Sequence, residues 1–223
     1  MKGLAALIGA LTLPGLLAAA PTAFDFSEGR WSRSDFWEVK SPRWDEHGSW
    51  MQLPDAIANA IPEKPGRKSY GHDCYASLVW KEPVECPVEL SSTMSFDVRM
   101  APLIVIAPEL ADAKAGAGMK EFRTHWEVVL FDKGVNIWRH EFKDGKPSCC
   151  LVAYLEEPFA PKVRHRLTVR IAPRRGRMFF SVICDGKAFG YFEPALPQRF
   201  HVGVTGCEGP CSFYDLKVDN DIK

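Results

Sequence analysis

The sequence lacks an excess of either charge, since 28 lysine and arginine residues balance 28 aspartate and glutamate residues over 223 positions. Proteins that bind DNA, RNA or anionic membrane surfaces commonly carry a basic excess or a basic patch. A short basic cluster, RRGR at 174–177, lies between two strand-like runs and is typical of a solvated hairpin turn. The composition therefore predicts no nucleic-acid partner.

Several short motifs are also missing. The sequence has no G-x-S-x-G nucleophile elbow, which argues against a serine-triad hydrolase. It has no C-x₂-C pair, which argues against structural zinc. It also lacks internal repeats, low-complexity tracts and amphipathic helical patterns between its strand-like runs. The last absence argues against a βαβ fold.

The cysteine count is seven, an odd number. In an exported chain this predicts disulfides together with at least one thiol that pairs outside the chain or not at all. Cys207 and Cys211 bracket a Glu-Gly-Pro turn and are one predicted pair, and Cys74 with Cys86 is a second.

The N-terminus resembles a secretory signal peptide. Lys2 precedes an apolar run from Leu4 to Ala20, and small residues end that run, which favours cleavage over anchoring. We therefore predict a signal peptide at 1–23 with cleavage after Ala20 or Ala23, a single domain at 24–223, and no stable membrane insertion. The predicted location is secreted, periplasmic or extracellular.

The rest of the chain is dominated by short strand-like runs separated by turn residues such as Asp-Lys-Gly and Asp-Gly-Lys. This spacing predicts an all-β fold, an antiparallel two-sheet sandwich. The predicted strands are 74–80, 92–100, 126–131, 135–142, 150–155, 166–171, 178–184, 188–192, 200–205 and 212–218. Segment 53–68 is predicted to be a long loop with one helical turn, and 107–120 a mobile loop or short helix.

The most informative segment is 124–141, which reads as two strands joined by an Asp-Lys-Gly turn. Because successive side chains of a strand alternate between faces, one face of this hairpin is apolar. That face carries Trp126, Val128, Leu130, Val135 and Ile137. The opposite face, predicted to be open, carries His125, Glu127, Asn136, Trp138 and His140.

The second half of the chain, 122–218, resembles the concanavalin A-like lectin/glucanase superfamily, and within it the laminin-G-like jelly rolls of secreted sugar-processing proteins. The resemblance rests on WEVVLFD, RHRLTVRIAPRRGRMFFSVICDGKAFGYF and RFHVGVTGCEGPCSFYDLKV. It implies a jelly roll whose concave sheet holds a polysaccharide or oligosaccharide. The acidic E-x-D-x-x-E strand of the family's retaining glucanases is missing, and Val129 stands where Glu127 would need an acidic partner.

The strand SFDVRM adds candidates if it neighbours the hairpin in that sheet, since Asp97 and Arg99 would then face the same groove. The predicted sugar-binding residues are Asp97, Arg99, His125, Glu127, Asn136, Trp138 and His140. Trp138 or Tyr75 would stack on a sugar ring, while Arg99, Asn136 and Glu127 would bind hydroxyls or a uronate carboxylate.

Several functions stay open at this point. The domain could bind a glycan without turnover, or act as a polysaccharide lyase in which Tyr75, His125 or His140 removes the sugar C5 proton while Arg99 or Asn136 neutralises a uronate. A glycoside hydrolase pairing Glu127 with Asp97 is a weaker variant. The polar face could also be a solvated sheet surface with salt bridges such as Arg99–Glu127, or the loops could serve as an interaction module.

The resemblance requires no cofactor, but it implies a possible structural calcium ion, because jelly rolls of this family often bind one at a sheet edge. The candidate ligands are Asp25, Asp215 and Asp219, near the two chain ends that such a fold brings together. Backbone carbonyls would complete the oxygen shell.

Overall fold

Strands form nearly all of the regular structure in the computed structural model, which describes residues 20–42, 48–60, 75–97, 102–113 and 118–222. One 3₁₀ turn, Arg33–Asp35, occurs within these ranges. The strands in chain order are β1 (Thr22–Asp25), β2 (Phe36–Lys40), β3 (Ser49–Gln52), β4 (Ile57–Ala60), β5 (Ala76–Trp80), β6 (Val84–Glu85), β7 (Val88–Phe96), β8 (Pro102–Ala107), β9 (Leu110–Asp112), β10 (Lys120–Phe122), β11 (His125–Phe131), β12 (Gly134–Lys143), β13 (Lys146–Glu156), β14 (His165–Arg174), β15 (Arg177–Cys184), β16 (Lys187–Glu193), β17 (Arg199–Gly206), β18 (Cys211–Phe213) and β19 (Asp215–Asp219).

These strands form two sheets. The first has the order β16-β15-β14-β7-β18-β4-β3, with β19 joining β7 and β1 joining β19. The second has the order β13-β12-β11-β8-β17-β5-β2-β10-β9, with β6 beside β17. All pairings are antiparallel except that of β10 with β2. The predicted all-β, two-sheet jelly-roll sandwich is confirmed.

The apolar face of the β11–β12 hairpin packs in the core between the sheets. Trp126, Val128, Leu130, Val135 and Ile137 are all fully buried there. Burial of this much apolar surface is the main force that holds one sheet on the other. The prediction of which side chains of this hairpin face the core is therefore correct.

On the side of β11 away from β12, the neighbouring strand is β8, which the sequence analysis missed. All six residues of β8 are buried, and the strand lies between β11 and β17. A strand buried on both faces shows no alternation of polar and apolar residues, so periodicity does not separate it from other buried segments.

Other predictions about loops need correction. Ile57–Ala60 is a strand in place of the predicted helical turn. The insert at 107–120 contains β9 and the start of β10, which pair with each other. The predicted last strand is broken at Tyr214 into β18 and β19.

One of the two predicted cysteine pairs falls within the described residues. Cys207 and Cys211 are both buried and carry no bridge, although a Glu-Gly-Pro turn lies between them. Cys86 carries none either, and its predicted partner Cys74 lies outside the described residues. The predicted disulfide between Cys207 and Cys211 is therefore absent from this structure.

Strand β1 spans the predicted boundary between the signal peptide and the domain. Thr22 and Ala23, placed by prediction at the end of the signal peptide, pair with Val218 and Lys217 of β19. Most of the predicted signal peptide lies outside the described ranges. Within those ranges, no helix is long and apolar enough to cross a membrane.

Candidate functional site

The outer face of the second sheet, which is turned away from the sandwich core, is strongly curved. Tyr75 immediately precedes β5, three places from β11 in the strand order, and neighbouring strands lie roughly 5 Å apart. Its hydroxyl nevertheless reaches Glu127 of β11. In the same way, the ring of Phe122 in β10 stacks on His125 of β11 at 4.4 Å between centroids. The sheet therefore folds its outer face into a hollow.

Glu127 is the centre of this hollow. The hydroxyl of Tyr75 donates to its Oε1 at 3.2 Å, and Nε2 of His125 lies 3.3 Å from the same oxygen. Nε2 of His140 lies 3.1 Å from Oε2. The register explains this meeting, because His125 is paired with His140 across β11 and β12, and Glu127 with Trp138. The two imidazole rings are stacked 4.5 Å apart with planes at 11°.

The cluster of Tyr75, His125, Glu127 and His140 has a defined charge pattern. Burial by itself raises the pKa of the Glu127 carboxyl, but the charge of His140 and the close contacts of both imidazoles with the carboxylate outweigh it and hold that pKa well below its usual value. Burial lowers the pKa of His125. Burial and the Glu127 charge raise the pKa of Tyr75 well above its usual value. The site therefore combines an ionised carboxylate with a protonated phenol.

A cavity of about 130 Å³ opens beside this cluster. Tyr75, Glu127, Trp138 and His140 line it together with six residues that the sequence analysis did not place at the site. Those residues are Ser41, Leu103, Val129, Cys149, Cys207 and Glu208. Leu103 belongs to the missed strand β8, and the others gave no sequence signal because their loops and strands meet only in the folded chain.

Six of the predicted site residues lie close together on or beside this face: Tyr75, His125, Glu127, Asn136, Trp138 and His140. The prediction that this face is open was wrong for three of them. His125, Glu127 and Asn136 are only 2%, 7% and 4% exposed. The hollow closes over them because the sheet curls and Phe122 covers His125.

Asp97 does not join the site. It follows β7, which belongs to the first sheet and pairs with β14, β18 and β19. Asp97 is exposed, and its backbone amide donates to the carbonyl of Pro210. Arg99 lies outside the described residues. The predicted Asp97–Glu127 acid pair is therefore not assembled, because the two residues belong to different sheets.

Around Glu127, the outer face is also not a solvated sheet surface. A second apolar cluster covers it, with Val79, Leu103, Val105, Phe122 and Val129 all buried. Five polar and aromatic groups of the hairpin stand at the edge of this cluster. The interpretation as a solvated face with simple salt bridges therefore does not fit the burial.

Of the predicted calcium ligands, Asp25 and Asp215 lie near each other, but Asp219 is four residues further along β19, roughly 13 Å away at about 3.3 Å per residue, and all three have other partners. Asp25 and Asp215 are register partners across β1 and β19. Asp25 lies 3.6 Å from Arg30, and the carboxylate of Asp215 accepts hydrogen bonds from Thr93 and Arg166. Asp219 accepts from the backbone amide of Asp221. Calcium at this edge stays a prediction, and an ion there would compete with these contacts.

No protein-family model matches this chain, and no curated protein matches it. Among solved structures, a mutant β-agarase B in complex with agaro-octaose is similar over 88% of this chain and 90% of its own, with 11% identity and a TM-score of 0.60. A protein of unknown function with a galectin-like fold from Bacillus subtilis covers 92% and 97%, with 9% identity and a TM-score of 0.59. The carbohydrate-binding module CBM66 from Bacillus subtilis covers 74% and 88%, with 12% identity and a TM-score of 0.52. The chain thus shares the concanavalin A-like jelly-roll fold of these structures.

Proposed function

We propose that this chain is an exported carbohydrate-binding domain that recognises a sugar in the cavity on the outer face of its second sheet. The observation that carries the proposal is the composition of that cavity. An indole, a phenol, a carboxylate and an imidazole, from Trp138, Tyr75, Glu127 and His140, line one hollow. Sugar sites combine an aromatic surface for the ring with directed polar groups for its hydroxyls.

Each lining group has a specific role. Trp138 is partly exposed at the hairpin, where its ring can stack on the apolar face of a pyranose. Glu127 is ionised and accepts hydrogen bonds from hydroxyls, which are stronger when the acceptor is charged. The hydroxyl oxygen of Tyr75, whose proton goes to Glu127, can accept a hydrogen bond, and His140 adds a second polar contact.

The cavity size limits what enters. About 130 Å³ is well below the roughly 300 Å³ at the lower end of typical small-molecule pockets. The cavity therefore suits a single sugar unit or the end of a glycan. The remaining sugar units would lie over Trp138 and the exposed parts of β13. A long buried groove is not part of this proposal.

Isothermal titration calorimetry and affinity electrophoresis with neutral and acidic oligosaccharides test the proposal. Trp138→Ala should weaken binding by about 1–3 kcal/mol, the range found when an aromatic that stacks on a nucleic-acid base is truncated. Phe192→Ala is the matched control, because Phe192 is an exposed aromatic in β16 of the other sheet. Sugar affinity that is equal in the wild type, Trp138→Ala and Phe192→Ala would refute this site.

A polysaccharide lyase acting in the same cavity is the second candidate. It is favoured by two proton-transfer groups that line the cavity, Tyr75 and His140. Elimination would release an unsaturated uronate, which absorbs in the ultraviolet. A rising absorbance with acidic polysaccharides that is lost in Tyr75→Phe would establish turnover, and a flat trace with retained binding would leave recognition alone.

A further inference from the structure

The cluster of His125, Glu127 and His140 has the composition of a metal site. The ligand atoms of its two histidines and its glutamate all lie within 4.8 Å of one another. Two imidazole nitrogens and one carboxylate commonly bind zinc and non-haem iron directly. Ligand atoms around a tetrahedral ion with bonds of about 2.0–2.1 Å are spaced roughly 3.3 Å apart. Nε2 of His125 lies 3.3 Å from Oε1 of Glu127, and Nε2 of His140 lies 3.1 Å from Oε2, the other oxygen of the same carboxylate.

The hydrogen bonds of His125 fix which nitrogen is available. Nδ1 of His125 lies 2.7 Å from the backbone carbonyl of Arg123, which can only accept, so Nδ1 carries a proton and donates it. In the neutral ring, Nε2 then presents its lone pair to Oε1 of Glu127. A backbone carbonyl that holds the far nitrogen of a histidine in this way is the usual outer-shell contact of a metal-binding imidazole.

The buried polar atoms around Glu127 leave a place for a cation. Nε2 of His125 and Oε1 of Glu127 face each other 3.3 Å apart inside the protein, so a cation bound there would take the place of any proton between them. Nε2 of His140 is buried too, and within the part of the chain that the structure describes it makes no hydrogen bond of acceptable geometry. A divalent ion bound by these three atoms would satisfy all of them at once.

We propose that His125, Glu127 and His140 bind one divalent transition-metal ion, with zinc as the first ion to test. Tyr75 holds the carboxylate from outside by its hydrogen bond to Oε1. Glu127 and His140 line the cavity, so the remaining coordination positions of the ion face it. A sugar hydroxyl pair or a carboxylate in the cavity would complete the coordination, and this last step alone rests on the proposed function.

Zinc binding is measured first without sugar, on the full domain after chelation and dialysis, by calorimetry and by metal analysis. We expect one equivalent of Zn²⁺ per chain and at least about tenfold weaker binding in His140→Gln, since even outer-shell changes cost 10–100-fold. His201→Gln is the control, because His201 lies on β17 of the same sheet outside the cluster. It should bind zinc like the wild type.

Cysteine thiols near the cavity are the competing ligands, so Co²⁺ is used as a second probe. The proposal predicts a Co²⁺ spectrum without a thiolate charge-transfer band, and zinc affinity unchanged in Cys149→Ser and Cys207→Ser. Circular dichroism and thermal melting establish whether each variant is folded. If His140→Gln does not fold, the zinc stoichiometry and the Co²⁺ spectrum of the wild type still test the site. Substoichiometric zinc, thiolate ligation or equal affinity in folded His140→Gln would overturn the site. Sugar binding is also measured on the metal-free protein, so that failure of the metal site and failure of the carbohydrate proposal can be told apart.

Discussion

The carboxylate of Glu193 accepts a hydrogen bond from the indole nitrogen of Trp126 at 2.9 Å, although the two residues belong to different sheets. Glu193 is fully buried. Its other contacts are the hydroxyl of Tyr191, the backbone amide of Ala195 and, at 3.5 Å, the guanidinium of Arg139. This polar network ties β16 of the first sheet to the β11–β12 hairpin that carries the candidate site.

Glu193→Ala should lower the free energy of unfolding by about 3–5 kcal/mol, because it removes one partner of a buried, charged network and leaves the others unsatisfied. Urea denaturation measures the change. Glu157→Ala is the matched control, since Glu157 pairs with Lys187 at the surface and such pairs contribute at most about 1 kcal/mol. Equal losses in the two variants would show that the Glu193 network does not hold the sheets together.

The cysteines should differ strongly in reactivity toward thiol reagents. Burial raises the pKa of the Cys184 thiol to about 12 and that of Cys86 to about 11. Cys150 is exposed on β13. Because the thiolate is the reactive form, Cys150 should be labelled at least about 100-fold faster than Cys184 in the folded protein.

Timed labelling followed by peptide mass spectrometry measures these rates. Unfolding in urea should bring Cys184 to the rate of Cys150. Rapid labelling of Cys184 before unfolding would contradict its burial.

His201 should make folding stability depend on pH. Burial lowers the pKa of His201, while its Nδ1 donates to the carbonyl of Trp80 at 3.2 Å and its ring contacts Trp37. A group whose pKa is lower in the folded state contributes stability that is present above its unfolded pKa, about 6.5, and lost as the pH falls below it.

His201→Gln should therefore lose less stability than the wild type between about pH 7.5 and about pH 5.5. Denaturation midpoints at several pH values measure the difference, and groups shared by both proteins cancel in the comparison. Parallel curves would rule out the proposed contribution of His201.

The start of the folded domain can be tested by truncation. Thr22 and Ala23 pair with β19, so a chain that begins at Pro21 should be more stable than one that begins at Phe24. The expected difference is about 1–2 kcal/mol, the net value of one or two hydrogen bonds. Thermal and urea unfolding of the two truncated chains measure it. Equal stability would support the boundary at Ala23.

Local pattern determined much of what the sequence could predict. The alternation at 125–140 correctly placed Trp126 and Val128 in the core and Glu127 and Trp138 on the opposite face, because the side-chain period of a strand is a property of neighbouring residues. The Asp-Lys-Gly turn was predicted for a similar reason. Gly134 has φ of 154°, and a Cβ there would lie 2.0 Å from the carbonyl oxygen of Leu155.

Tertiary structure decided which strands are neighbours and which faces are covered. Asp97 was predicted beside Glu127, but β8 occupies that place and β7 lies in the other sheet. The curl that brings Tyr75 to Glu127, and Phe122 over His125, is likewise invisible in the sequence. Strand order and sheet curvature depend on pairings between residues far apart in the chain, and no local period records them. The sequence alone determined the side chains available to the site, and the folded sheet decided that they meet in a buried cavity.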